Sequence, residues 1–427
     1  MQIGRMRAHG AAAEAQVALH GARVGFTPHT CEQAEIWIAG SRVSRIGKKL
    51  SRASAESWPA IGIDLSGFLI LPGFINAHDH LEFGLFPRLA DPPYRNYVDW
   101  GDDIHRKFPD VIARYKAVSK PVRMWFGGIR NLLCGVTTVC HHNPLRPELQ
   151  RTDFPVRVMQ EYGWAHSVAL GGDLVRAHAD TPRGRPFLLH ACEGVDIDMR
   201  QEIQAIDSLA LLDSSTILIH GLAMDREGVA LLQKRGSSLI LCPSSNKFLY
   251  GELPDYERFA MIPNLTLGND SPLTAEGDLL DEIRFAIRFC GIPSDDAYRM
   301  VTTAPAAILR LKDSEGSICE GGAADLIALR DTGAAPADRL HELSFRDIEF
   351  VMIAGRVCLA SEDVLGRLPD SARVGLEPIL VDEIVRWVRA PMRDLMTGTE
   401  DVLGKGNVRL GDRELCIPAG VEALHVG

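Results

Sequence analysis

Four segments of the sequence each end a run of apolar, strand-like residues with a side chain that can bind a metal ion. The segments carry His78-Asp79-His80, His190 with Glu193 three residues on, His220, and Asp270. Imidazole and carboxylate groups are common ligands of zinc and related divalent metals. Because several separate strand ends deliver such groups, the pattern predicts one metal site at the rim of a barrel.

Taken one at a time, these signals are ambiguous. His78 and His80 face the same side of a strand while Asp79 faces away, but such a pair also occurs by chance. His220 alone is compatible with a structural role, and Asp270 alone is compatible with an ordinary helix N-cap. Their joint occurrence at consecutive strand ends favours the metal site.

The order of the predicted elements indicates which fold positions these residues. Strand and helix patterns alternate over residues 68–312, which predicts an α/β fold with a parallel sheet. The length of this segment matches a (β/α)8 TIM-type barrel. Short strands occur before and after that segment, so residues 1–67 and 313–427 are expected to form one small β-sandwich domain. A helical tail is expected near the C-terminal end, over EPILVDEIVRWVRAPMRDLM.

Composition narrows the possible partners and compartment. The 427 residues carry a net charge of −10 without a basic cluster, which argues against nucleic acid. No run of eighteen apolar residues predicts a membrane span, and the N-terminal residues lack a secretory apolar stretch. Nine scattered cysteines without a CxxC motif fit reduced thiols in a cytoplasmic protein and argue against a thiolate zinc site.

The motifs resemble those of the amidohydrolase superfamily, closest to the ATZ/TRZ branch of cytosine, guanine and S-adenosylhomocysteine deaminases and triazine hydrolases. The resemblance covers residues 17–360. The motifs that carry it are LPGFINAHDHLEF, GVTTV, HACE, HG, CPSSN, LGNDS and TTAPAAILRL…GSICEGGAADLIAL.

The resemblance implies one divalent metal, Zn²⁺ or Fe²⁺, and a hydrolase that deaminates an amino-substituted N-heterocycle of purine, pyrimidine, pterin or triazine type. The implied metal ligands are His78, His80, His190 and Asp270. Asp270 and His220 would also handle the metal-activated water, and Glu193 would shuttle a proton to the ring. No lysine lies between Lys120 and Lys234, which excludes a lysine-bridged pair of metals in this barrel register. A glutamate bridge stays open, but the H-x-x-E spacing of His190 and Glu193 favours one metal.

Substrate contacts are predicted from the loops that follow the site strands. Tyr97 and Trp100 are candidates either to stack on a flat heterocycle or to pack the loop onto the barrel, and the same two interpretations apply to Phe248. His141 and His142 are adjacent and face opposite sides, so one of them at most can contact the substrate. The expected partners are this small heterocycle and water. Relatives in the family often form homo-oligomers.

Two other functions remain compatible with the sequence. The same site can hydrolyse a different bond, releasing chloride, an alkylamine or a ring amide. A non-catalytic amidohydrolase-like scaffold is the second alternative, although every ligand position is filled.

One segment departs from the family pattern. Between GVTTV and HACE the sequence shows one clear strand, FPVRVMQEYGWAHSVAL, where relatives place two strands and two helices. One barrel element is therefore expected to be shortened, and the segment before His190 is where substrate choice is expected to be set.

Overall fold

The computed structural model describes residues 16–48 and 60–419 and has an α/β fold. The parts of the predicted β-sandwich that fall on residues 1–15, 49–59 and 420–427 lie outside the described residues. Within the described residues, no helix has the length and apolar character needed to cross a membrane. All nine cysteines lie in the described part of the chain and are unpaired.

The strands are β1 (Gln16–His20), β2 (Arg23–Gly25), β3 (Cys31–Gln33), β4 (Glu35–Ala39), β5 (Arg42–Gly47), β6 (Ala60–Asp64), β7 (Phe68–Pro72), β8 (Phe74–Asp79), β9 (Val136–His141), β10 (Arg157–Val158), β11 (Gly163–Ser167), β12 (Phe187–Ala191), β13 (Thr216–His220), β14 (Ser238–Leu241), β15 (Leu265–Leu267), β16 (Leu326–Arg330), β17 (Ile348–Ile353), β18 (Arg356–Ala360), β19 (Glu377–Val381), β20 (Ile384–Val388), β21 (Arg409–Leu410) and β22 (Arg413–Cys416). The α-helices are α1 (Tyr97–Lys107), α2 (Pro109–Ala117), α3 (Lys120–Leu133), α4 (Leu174–Ala179), α5 (Ile197–Ser208), α6 (Arg226–Arg235), α7 (Pro243–Tyr250), α8 (Tyr256–Phe259), α9 (Leu279–Cys290), α10 (Ser294–Met300), α11 (Thr303–Ile308), α12 (Pro336–Arg339), α13 (Glu362–Arg367), α14 (Asp370–Arg373) and α15 (Met392–Leu403).

Strands from both ends of the chain form two sheets that share a core. One sheet has the order β5-β4-β1-β6, and the other has the order β21-β22-β19-β20-β18-β17-β16-β7-β2-β3. Leu19 and Ile36 of the first sheet pack in one apolar cluster with Phe68 and Phe350 of the second. The two sheets are therefore joined by one apolar core to which strands from both ends of the described chain contribute.

The second sheet also packs against the central part of the chain. In β7, Phe68 and Ile70 belong to the core between the two sheets, whereas Leu69 and Leu71 belong to the large central core. Successive strand residues point to opposite faces, so an unbroken apolar run buries both faces. The β domain is thereby attached to the central segment by buried apolar contacts.

The C-terminal tail differs from its prediction. The stretch expected to be helical contains a hairpin, β19 and β20, and becomes helical only at Met392. Ile and Val dominate ILVDEIV, and β-branched residues favour strands. Asp382 and Glu383 both have positive φ, at 42° and 70°, which suits the tight turn of a two-residue hairpin.

Eight parallel strands, β8 to β15, make up the centre of the described chain. They form two ladders, β10-β9-β8 and β11-β12-β13-β14-β15. An isolated parallel bridge between Asp79 and Asp270 connects β8 to the residues just after β15. The carboxyl ends of these strands therefore lie together, which brings the four predicted segments to one place.

The segment between β9 and β12 is the irregular part of this array. The single predicted strand is divided into β10 and β11, separated by Met159–Tyr162. Only a 3₁₀ turn, Pro147–Gln150, lies between β9 and β10. β10 has two residues, which is consistent with the expected shortened element.

The shared core of the two sheets predicts a large effect of one substitution. Phe350 is fully buried between the sheets, so Phe350→Ala should reduce the free energy of unfolding by about 3–5 kcal/mol. Urea denaturation followed by circular dichroism measures this. Phe289→Ala is the matched control, because that side chain is half exposed and should cost far less. Equal losses in the two variants would contradict the described core.

Candidate metal-binding site

The site strands end in backbone conformations that residues other than glycine rarely adopt. Cys192, His220 and Asp270 have φ values of 54°, 73° and 56°. Residues in this left-handed region cost free energy and concentrate where a side chain must be aimed. In strict strand alternation His190 and Glu193 would face opposite sides, but the turn at Cys192 breaks the alternation, and both side chains line the same cavity.

Three imidazoles and one carboxylate converge at this rim. The Nε2 atoms of His78 and His190 are 3.2 Å apart. Oδ1 of Asp270 lies 3.6 Å from Nε2 of His78 and 3.6 Å from Nε2 of His80. Ligand atoms about 2.1 Å from a tetrahedral cation are about 3.4 Å from one another, so the observed spacing suits a single ion.

The protonation states also suit a cation. Burial lowers the pKa of His78, His80 and His190, so these imidazoles are neutral, the form that binds metals. Burial opposes ionisation of Asp270, but contact with His78 and the nearby His220 hold the pKa of Asp270 well below its usual value. The site therefore combines nitrogen lone pairs with one negative charge.

Hydrogen bonds behind two of the site histidines, His190 and His220, orient their rings. Nδ1 of His190 donates to the backbone oxygen of His166 at 2.6 Å, which leaves Nε2 with its lone pair. Nδ1 of His220 lies 2.9 Å from Oδ1 of Asn246 and donates to it. Such partners fix the tautomer and the ring orientation of metal-site histidines.

The carboxylate of Asp270 is held at its second oxygen. Oδ2 accepts hydrogen bonds from Ser245 Oγ at 2.7 Å and from Thr274 Oγ1 at 3.0 Å. This leaves Oδ1 directed at the histidines. The helix N-cap interpretation of Asp270 is wrong, because α9 begins at Leu279 and Asp278 caps it.

Asp79 supports the site from the opposite face of β8. Its Oδ2 accepts hydrogen bonds from Arg130 at 2.7 Å, from Asn131 at 2.7 Å and from Asn76 at 3.1 Å. Both Asp79 and the Arg130 side chain are almost completely buried. As the alternation predicted, Asp79 faces away from His78 and His80.

Glu193 lies on the cavity side of the cluster. Its Oε1 accepts a hydrogen bond from the Tyr250 hydroxyl at 2.7 Å, and its Oε2 is 3.5 Å from His220 Nε2. Burial raises the pKa of Glu193, while His220 and Tyr250 act in the opposite direction. A carboxyl group at this position can exchange a proton with a ligand in the cavity.

A cavity of about 430 Å³ opens above these residues. His80, His190, Glu193, His220 and Asp270 form one part of its wall, and His78 lies beneath them. The size is in the range of pockets that hold small organic ligands.

Of the five predicted substrate contacts, two line the cavity and three do not. Tyr97 and Trp100 line the cavity, with their polar atoms bonded to Glu202 and to the Leu89 backbone. The other three do not line it, which corrects their expected placement. They are His141, His142 and Phe248. His142 packs its ring 4.3 Å from the His190 ring, His141 accepts from the Leu81 N–H, and Phe248 packs under the Arg88 guanidinium.

The residues that lead into α1, the helix that carries Tyr97 and Trp100, are attached next to Glu193. Val195 N–H donates to the Arg95 carbonyl at 2.7 Å, and Asn96 forms a bridge with Gly194. A Cβ at position 194 would lie 2.5 Å from the Arg95 carbonyl oxygen, so only glycine permits this approach.

His166 and Tyr250 are among the site residues that were not predicted from the sequence. His166 lines the cavity at the end of β11, and the strand-end signal would have found it if the two strands had been separated. No short-range signal indicates that the Tyr250 hydroxyl reaches Glu193 from α7.

A thiol also lies near the cluster. Cys242 has its sulfur within 4.8 Å of ligand atoms of His78 and His220. Burial raises the pKa of this thiol well above its usual value, so it is present as the neutral thiol, a poor metal ligand.

Comparisons with known proteins agree on the type of domain. Residues 172–358 match the model of the amidohydrolase family. The chain is 24% identical over 402 residues to a 5-methylthioadenosine/S-adenosylhomocysteine deaminase of Pyrococcus furiosus, covering 79% of this chain and 93% of that protein. A triazine hydrolase variant has a TM-score of 0.71 at 18% identity, covering 91% and 99% of the two chains. A zinc-bound adenosine deaminase of Xanthomonas campestris has a TM-score of 0.64 at 17% identity, covering 92% and 98%.

The buried pair behind the site predicts a strong loss of stability when it is broken. Arg130→Ala leaves Asp79 buried without its cation and should reduce the free energy of unfolding by about 3–5 kcal/mol. The matched control is Arg95→Ala, which removes a solvent-exposed arginine from its pair with Asp99 and should change stability little. Urea denaturation midpoints compare the two, and similar small shifts would argue against an organising role for Arg130.

Proposed function

We propose that this chain, which carries an amidohydrolase family domain, is a metal-dependent aminohydrolase that removes an amino group from a nitrogen heterocycle. The observation that carries the proposal is the convergence of metal-ligand groups beside a buried acid. The proposed ligands are His78, His80, His190 and Asp270. Glu193 and His220 line the cavity directly next to them.

A cation fits this donor set for a physical reason. The His190 Nδ1–H is used by the His166 carbonyl, so a lone pair on His190 Nε2 points at His78 Nε2 only 3.2 Å away. A divalent cation would be held by the nitrogen lone pairs of the three histidines together with the Asp270 carboxylate. When bound, a divalent metal lowers the pKa of a coordinated water and makes it a nucleophile at neutral pH. We infer Zn²⁺ because three imidazoles and a carboxylate suit it.

Different residues around the cation carry out the separate proton transfers. We assign to Asp270 the proton of the attacking water and to Glu193 the proton delivered to a ring nitrogen, which makes the neighbouring carbon electrophilic. His220, with its Nε2 lone pair 3.5 Å from Glu193 and 3.9 Å from Asp270, positions the water.

These transfers balance over one turnover. The water oxygen bonds to the ring carbon, and the carbon then carries both hydroxyl and amino groups. Its hydroxyl proton returns to Glu193 as the carbonyl forms. Asp270 gives its proton to the leaving amine, which departs as ammonia. Both carboxyl groups end in the state in which they began.

We further infer that β8 to β15 close into a (β/α)8 barrel. The Asp79–Asp270 bridge and the hydrogen bond from Asp270 N–H to the His78 carbonyl, at 3.1 Å, support closure on one side. On the other side, where β10 and β11 are not hydrogen-bonded, the support is a contact from the end of β9 to β11. His142 Nε2 lies 2.9 Å from the Ala165 carbonyl.

The names of the relatives indicate which heterocyclic substrates to test first. The Pyrococcus protein is named for deamination of 5-methylthioadenosine and S-adenosylhomocysteine, and the Xanthomonas protein for adenosine. Aminated purines are therefore the first substrates to test, followed by pterins, pyrimidines and triazines. Ammonia release and product mass are the measurements. Release of chloride or an alkylamine, with no ammonia from any aminated ring, would contradict the proposal.

Metal content provides a direct test of the ligand assignment. The purified protein should contain about one divalent metal per chain, and His190→Ala should weaken metal affinity by at least about 100-fold, since even a residue behind the ligands contributes 10–100-fold. Mass spectrometry of the metal and competition with a chelator measure this. His341→Ala, at an exposed histidine, should bind metal normally. Equal metal content in both variants would contradict the site.

Glu193→Gln tests the proton transfer separately from the metal. The amide keeps the shape but cannot carry the proton, so kcat should fall by about 10²–10⁴-fold while metal content is unchanged. The control is Glu282→Gln, since burial raises the pKa of Glu282 to about 8 and the amide there replaces a largely neutral acid outside the cavity. Full activity in Glu193→Gln would exclude the assigned role.

A further inference from the structure

The mouth of the cavity collects positive charge in a protein of net charge −10. Lys116 from the last turn of α2, Lys120 from the start of α3, and Arg123 one turn later all line it. Lys116 and Lys120 are exposed, so they mark the solvent end of the cavity. Three acidic residues also line the cavity. Glu193 and Asp270 lie at the metal end, and the third is Glu82.

These cations are only partly neutralised by the protein. Glu82 Oε1 lies 3.6 Å from Lys120 Nζ and is the one carboxylate near it within the described residues. Lys116 has no ion pair within the same part of the chain. Arg123 donates from Nε to the Val118 carbonyl at 3.0 Å and from NH1 to the Glu82 carbonyl at 2.7 Å. Its NH2 group makes no hydrogen bond to a described residue.

The position of two of these cations is unfavourable for the helix itself. The first turn of α3 contains Lys120 and Arg123, has no acidic residue and has no side-chain cap. The N-terminal end of a helix carries partial positive charge and favours acids there. Basic residues at this position disfavour the helix, and such locally unfavourable residues are expected at functional sites. Because these residues line a cavity, their charges indicate a role in binding a ligand.

The cavity also has an apolar wall. Phe83, Phe86, Ile104, Ile112 and Leu273 line the cavity and pack in one apolar cluster. The Arg123 guanidinium lies over the Phe86 ring, 5.5 Å from its centroid, which holds its charge at the edge of this wall. A ligand that fills the cavity therefore meets polar groups at the metal end, an apolar wall and a cluster of cations.

We propose that the substrate carries an anionic group, a carboxylate or a phosphate, on an apolar arm opposite its aminated ring, and that Lys116, Lys120 and Arg123 bind that group. The proposal rests on the proposed function and names the substrate class of the same site. Arg123 is rigidly held by backbone carbonyls, whereas the two lysines can follow the anion.

Matched ligand pairs test the charge alone. The carboxylate arm of the test compares 5′-(carboxymethylthio)-5′-deoxyadenosine with its methyl ester, and the phosphate arm compares adenosine 5′-phosphate with adenosine. Turnover and calorimetric binding are measured on the metal-loaded protein. The anionic member of at least one pair should have a KM or Kd at least about ten-fold lower, as expected for a charge-assisted contact. The preferred arm identifies the anion.

Variants assign the preference to the lysines. Lys116→Ala/Lys120→Ala should remove most of the ten-fold difference between the anionic and the neutral member of the preferred pair. Lys116→Arg/Lys120→Arg should retain it, and so should Lys234→Ala, an exposed lysine outside the cavity. High ionic strength should reduce the difference in the wild type.

The outcomes separate the two proposals. Deamination of neutral and anionic members with equal KM, or a preference that persists in the double alanine variant, would overturn the anion site and leave the deaminase intact. If no compound releases ammonia, the proposed function fails. Binding alone then decides: anion-dependent affinity lost in the double alanine variant supports the site, and its absence overturns it.

Discussion

The close approach of the first and last central strands is the contact on which the site depends. The Asp270 N–H donates to the His78 carbonyl at 3.1 Å, so two of the proposed ligands are joined through their own backbones. Gly268 makes this approach possible, because a Cβ there would lie 2.6 Å from the His78 Cβ. A side chain at 268 would move the two strand ends apart and separate the carboxylate from the imidazoles.

Both faces of the strand that carries this contact lie against a buried acidic group. On the cavity face, His78 and His80 lie beside the Asp270 carboxylate, which accepts hydrogen bonds from Ser245 and Thr274. On the other face, Asp79 is compensated by Arg130 and two asparagine amides. Buried charges persist only when they are paired and hydrogen-bonded. Contacts on both faces of β8 therefore hold the strand in place, which limits how far His78 and His80 can move.

Much of this arrangement could be predicted from short-range patterns. The two-residue alternation predicted that His78 and His80 share a face and that Asp79 does not, and the alternation of elements predicted the parallel array. The helical expectation for the tail was wrong because a hairpin of alternating apolar residues and a helix can share one composition over a short stretch. His166 was missed because one predicted strand proved to be two.

The sequence by itself determined which chemical groups stand at the strand ends, since residue type and local periodicity are properties of the chain. Only the tertiary structure decided where those groups point. Glu193 reaches the cavity through the left-handed turn at Cys192, and Tyr250 reaches Glu193 from a helix fifty-seven positions later. The cations of α2 and α3 become one cluster only because both helices pack beside the same cavity. Contacts between distant segments depend on packing, and no local pattern encodes them.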